Sequence, residues 1–147
     1  SVLTARDVQE LFDIREALDV LACRRAAERA TPAELAELKA QVEAARSALK
    51  EQDFAKFGRA NEAFHDKIIE LAQNGHLARL VQPLQGRLHW LLRQTDRPAE
   101  LCEEHDALYR AIASGDPEGA GAEALRHDLA NRAIALKVLF QAEKSET

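Results

Sequence analysis

The sequence predicts an all-α fold, an antiparallel bundle of about six helices, on three observations. Breakers are scarce, with 6 Gly and 4 Pro in 147 residues, while Ala, Leu, Glu, Arg and Gln dominate, residues that lose little freedom in a helix. No stretch shows the Val/Ile/Thr alternation of a half-buried strand. Capping signals recur along the chain at helix-length intervals.

Each helix follows from its own punctuation. The first runs from about Arg6 to Ala30, with Val8, Leu11, Phe12, Leu18, Leu21, Ala22 and Ala26 on one stripe. Thr31-Pro32-Ala33-Glu34 then supplies an N-cap, a proline at the first position and a capping-box glutamate. The second helix therefore starts there, carries Leu35, Leu38, Val42, Ala45 and Leu49 on one face, and ends near Lys50. A third opens near Asp53 and is expected to stop at Asn74-Gly75. The fourth, from about Leu77 to Gln94, contains Pro83 and Gly86, which predict a kink or break. The fifth follows Pro98 and closes at Ser114-Gly115. Asp116-Pro117-Glu118 opens the sixth, which runs to about Gln141. Connections this short make neighbours antiparallel.

Composition narrows the function. Hydrophobic residues at 46% and charged residues at 31% describe a globular chain with one core. With 20 basic against 25 acidic residues, the net charge of −5 excludes a phosphate-gripping face on this chain. Cys23 and Cys102 form neither a disulfide framework nor a CxxC pair, and read as reduced thiols of a cytoplasmic protein. No apolar run approaches the ~20 residues of a membrane span, and no signal-peptide core is present. The chain contains no Met, so it is expected to be a piece of a longer protein.

Polar residues on the apolar stripes carry the functional signal. Arg15 falls seven residues after Val8 on the first stripe, with Asp19 one turn further on. A buried guanidinium needs an anion. Either Asp19 supplies it at i,i+4, or Arg15 awaits a ligand carboxylate, to which its planar fork is matched. On the third helix, Phe54, Phe57, Phe64, Ile68 and Leu71 form the apolar face, and Asn61 and His65 lie beside it. His105 is flanked by Leu101, Leu108, Tyr109 and Ile112, while His127 and Asn131 share a face with Ala120, Ala124, Ile134 and Val138. A single such histidine reads most simply as a hydrogen-bonded core residue. Three from three helices would leave several imidazole nitrogens to satisfy at once, which one divalent metal does. His76 is expected at the surface; helix phase does not place His89.

These same residues carry a family resemblance over essentially the whole chain. Leu11-Phe12-Asp13-Ile14-Arg15-Glu16-Ala17-Leu18-Asp19 is similar to an opening Arg-x-x-Leu-Glu stretch, with Asp19 for Glu. Ala26-Ala27-Glu28-Arg29-Ala30-Thr31, Phe64-His65, Asn74-x-x-Leu77, Glu104-His105, Ala111-Ile112 with Gly115-Asp116, and His127 follow in order. The set resembles the FCD domain, the C-terminal effector-binding domain of FadR-type GntR transcription regulators. The resemblance implies six or seven antiparallel helices around a central ligand and metal cavity, in residues 1–147, with the winged helix-turn-helix outside this chain. It implies one divalent metal on His65, His105 and His127, zinc first, with nickel, manganese or iron as alternatives. Asn61 stands where the family usually has Asp; its amide oxygen can coordinate but brings no negative charge.

The expected function is therefore metal-dependent sensing of a small carboxylic acid, with Arg15 as the effector contact. The implied protein is a cytoplasmic homodimer that meets operator DNA only through the missing domain and involves no membrane. With Arg15 and a metal both positive, the cavity is expected to be electropositive. The alternative is a metalloenzyme with a three-histidine site. No general base accompanies the histidines, and Glu62 is expected to point away from the apolar stripe, so no catalytic residue is assigned.

Overall fold

The computed structural model describes residues 3–92 and 96–145. It holds six helices: α1 (Ala5–Arg29), α2 (Pro32–Lys50), α3 (Phe54–Leu71), α4 (Gly75–Leu92), α5 (Pro98–Ala113) and α6 (Pro117–Ser145). No strand occurs among the described residues. The all-α expectation holds.

The caps act as the sequence predicts at three of the starts. Thr31 accepts from the Glu34 amide while Glu34 reaches back to the Thr31 amide, a closed capping box. Asp53 accepts from the Lys56 amide at 3.0 Å, and Asp116 from the Gly119 amide at 3.0 Å. Thr4 and Asp7 close a further capping box on α1.

Two expectations about boundaries are corrected. Helix α3 ends at Leu71, ahead of the expected stop at Asn74-Gly75, and Gln73 takes the left-handed conformation (φ 52°) that follows it. Asn74 instead opens α4, its Oδ1 accepting from the Leu77 amide at 3.1 Å. Nor does Pro83 break α4, one of the two outcomes expected there, since the helix continues through it to Leu92. Pro83 lies on the exposed side, where the carbonyl it leaves without a partner can meet water.

The largest helix–helix contact joins α1 to α6, the elements furthest apart in sequence. The two run antiparallel: Arg24 pairs with Glu118 near one end, and Arg132 with Asp13 and Glu16 towards the other. The core falls into three clusters, centred on Phe64 with Leu38, Leu71 and Leu108, on Phe12 with Leu88 and Leu91, and on Phe57 with Cys102. Phe54 departs from the expected apolar face of α3 and is 62% exposed. Between these clusters lies the cavity that holds the polar residues. No described helix is long and apolar enough to cross a membrane.

Candidate metal centre

Four helices bring the polar residues together. On α3, the buried stripe is Phe57, Ala60, Phe64, Ile68 and Leu71, so Asn61 and His65 sit at its edge, half-buried. On α5, His105 lies within the buried stripe beside Cys102, Leu108 and Ile112. His127 is buried on α6, and Asn131 follows one turn later. Arg15 reaches in from α1, only 4% exposed.

The three histidines offer one nitrogen each within 4.8 Å of one another. Their ring centroids are 4.8 Å (His105–His127), 4.9 Å (His65–His105) and 5.2 Å (His65–His127) apart. Phe64 stacks on the His105 ring at 4.4 Å and so fixes its plane.

Their hydrogen bonding is uneven. His127 Nδ1 lies 2.9 Å from Glu104 Oε2, and its Nε2 lies 3.1 Å from Asn131 Nδ2. A carboxylate only accepts, so Nδ1 carries the proton and Nε2 keeps the bare lone pair. Glu104 thus orients His127 as a carboxylate does behind a metal-bound imidazole. His105, by contrast, has no partner on either ring nitrogen, and Asn61 Oδ1 is also buried without one. Burial holds the His65 imidazole at about 3, and the neighbouring Arg15 guanidinium adds to it. Burial also pushes His105 well below 6.5, with His127 and His65 adding to it. Imidazole nitrogens, those of His105 without a partner, and an orphaned amide oxygen are the donor set a divalent cation uses. These residues fit a metal.

A second cluster adjoins the first. Arg15 Nε donates to Asp19 Oδ2 at 3.1 Å and lies 3.8 Å from Asp128 Oδ1, with its guanidinium over the Phe12 ring. Burial drives the Asp128 carboxyl up to about 10, and the neighbouring Asp19 adds to the shift. Burial opposes ionisation of Asp19 too, but Arg15 and a hydrogen bond with Asp128 outweigh it and lower Asp19. The pair therefore shares one proton, and Asp19 carries the charge that answers Arg15.

Arg15 Nε is paired with Asp19 as the i,i+4 reading expects, while buried Nη1 has no partner and the side chain lines the cavity. Asp19 offsets the charge of Arg15 from within the core. Glu62, off the buried stripe of α3 as expected, also lines the cavity. The cavity is about 720 Å³, in the range of small-molecule sites. Arg15, Asn61, the three histidines and Asn131 share it with Phe54, Pro98 and Leu101. His76 is exposed and meets Arg79, as expected of a surface residue. The His89 side chain lies outside the described residues.

Sequence reasoning missed Asp128 and the role of Glu104. Asp128 continues the Ala120–Ala124 stripe at i+4, a signal that was present. Glu104 could be found only once α5 was known to lie beside α6.

Comparison with known proteins matches residues 10–130 to the FCD domain. The chain is 29% identical over 130 residues to the HTH-type transcriptional regulator YdhC of Bacillus subtilis, covering 85% of this chain and 58% of that protein. It is 29% identical over 140 residues to LutR, an HTH-type transcriptional regulator of the same organism, covering 86% and 61%. The chain thus spans about three fifths of the length of these curated relatives. Among solved structures, Escherichia coli McbR/YncC superposes with a TM-score of 0.81 at 26% identity, covering 92% of this chain and 71% of that one. The metal-free FCD domain of TM0439 superposes with a TM-score of 0.78 at 21% identity, covering 96% and 99%, which is a likeness of fold.

Proposed function

Because the chain belongs to the FCD domain family, we propose that it is the effector-sensing and dimerising domain of a bacterial GntR-type transcription regulator. A winged helix-turn-helix outside residues 1–147 would bind operator DNA, in keeping with relatives named as HTH-type regulators and with a net charge of −5 here. The sensing site is a divalent metal, zinc first, held by His65, His105 and His127 with Asn61 as a weaker fourth donor. The observation that carries this reading is the set of unpartnered donors, His105 and Asn61 Oδ1, beside two further imidazoles in one cavity.

When bound, the metal supplies a Lewis-acidic anchor with positions open to an anion. The chain's own residues do the rest. Glu104 fixes the His127 tautomer, and Phe64 fixes the His105 ring. Asp19 holds Arg15 through Nε, which leaves Nη1 for a ligand carboxylate. A small carboxylic acid gripped by Arg15 ties α1 to the helices that carry the histidines. That link joins effector occupancy to the α1–α6 packing.

Zinc titration with elemental analysis, then calorimetry of the zinc-loaded domain against C2–C6 mono- and dicarboxylates, tests the reading. One metal per chain and saturable, metal-dependent acid binding without turnover are expected. Absence of metal uptake overturns the site, and turnover of esters or acids would favour the metalloenzyme alternative.

A further inference from the structure

Asn131 stands between the metal reading and the effector reading, and resting on that reading, we propose that it is a metal-released effector contact. In this structure its Nδ2 donates to His127 Nε2 at 3.1 Å. That nitrogen holds the lone pair a metal needs, because Glu104 fixes the proton on Nδ1. One lone pair cannot serve both. Coordination through Nε2 therefore breaks the Asn131 bond, and the amide must find another partner.

The surroundings say where it goes. Asn131 lines the same cavity as Arg15, Asn61 and the histidines, half-buried one turn beyond His127 on α6. A freed amide there shares that cavity with Arg15, whose buried Nη1 has no partner. Its N–H groups match a carboxylate oxygen, so the ligand class is a carboxylate that accepts from both Arg15 and Asn131. Metal and effector are then coupled: until the metal displaces it, Asn131 is engaged with His127 and contributes nothing to the effector. By linkage, an effector that accepts from Asn131 also favours metal retention.

Two measurements on the intact domain test this. In the first, the side-chain amide of Asn131 is followed by NMR as zinc is added to the wild type. The amide resonance is expected to shift, and its exchange with water to speed up, in step with zinc occupancy. Zinc uptake with the amide unmoved overturns this proposal alone, whereas no zinc uptake overturns the sensor reading and this proposal with it. In the second, Asn131→Ala and the more conservative Asn131→Ser are compared with wild type. Zinc should bind both variants about two- to tenfold more tightly, the loss of one competing hydrogen bond. Acetate, as the minimal carboxylate probe, should bind their zinc-loaded forms about two- to tenfold more weakly than the wild type. Weaker zinc binding in both folded variants, or acetate affinity equal to wild type, overturns the proposal.

Discussion

The Arg15 cluster and the histidine cluster occupy the same interior, and they meet the cost of burial in opposite ways. Around Arg15 charge answers charge, with Nε on Asp19, Asp128 3.8 Å away and the Phe12 ring beneath, although Nη1 and both Asp128 oxygens have no hydrogen-bond partner. Around His105 nothing answers, since both ring nitrogens and the nearby Asn61 Oδ1 lack partners. A buried polar group left unpaired costs about 1–3 kcal/mol, so a core that tolerates several side by side has a use for them. The contrast separates a part that holds the fold from a part that waits for a ligand.

The largest expected effect comes from breaking the charge-paired cluster. Arg15→Ala strips Asp19 of its counter-charge in a buried setting, and should cost about 3–5 kcal/mol of stability in the metal-free protein. Denaturant unfolding in EDTA measures this. A change below ~1 kcal/mol, the range of exposed pairs, would mean that Arg15 serves the ligand alone. Adding Asp19→Asn to that variant should recover part of the loss, since no buried charge then lacks a partner.

The unsatisfied cluster should respond in reverse. His105→Leu removes two orphaned nitrogens and keeps apolar contact with Phe64, so metal-free stability should hold or rise by about 1 kcal/mol. Zinc affinity should fall by more than about a hundredfold, beyond the 10–100-fold typical of losing an outer-shell partner. A competitive chelator titration reads the affinity. If His105→Leu unfolds the metal-free domain, His105 is a structural residue and the comparison fails.

How much of this was legible in sequence follows from what each feature depends on. The starts at Thr31-Pro32-Ala33-Glu34 and Asp116-Pro117 were readable because a cap is a local interaction of four residues. The three histidines were readable because each lies in or beside an apolar stripe whose phase is fixed by its own helix. The α3–α4 junction differs from the expectation because Gln73, not glycine, adopts the left-handed turn. The neutralisation of Arg15 was half-readable: Asp19 lies one turn away on α1, whereas Asp128 arrives only through the α1–α6 pairing. Local chemistry could be read from the sequence, and pairing across helices could not.

The smallest effect per unit change is the dependence of stability on pH, where the two clusters pull in opposite directions. In the metal-free fold His65 titrates at about 3 and His105 also lies well below 6.5, both chiefly through burial. Unfolded, they take protons near pH 6.5, so their stability is complete above that pH and drains away as pH falls towards 3. The Asp19–Asp128 pair keeps a proton that unfolded carboxyls release near 3.9, because Asp128 is raised by burial and by Asp19. Its contribution is therefore complete at low pH and drains away as pH climbs towards 10. Each group contributes at most about 1.4 kcal/mol per pH unit. Between about pH 4 and 6.5 two histidines oppose one shared proton, and the net slope is upward. Above 6.5 the proton acts alone, and the slope turns downward. Calorimetric melting in EDTA should accordingly peak near pH 6.5. Asp128→Asn, which mimics the protonated carboxyl, should flatten the alkaline side and leave the acid side in place. A maximum at pH 8 or above, or an alkaline decline that persists in Asp128→Asn, would show that the carboxyl pair does not share a proton.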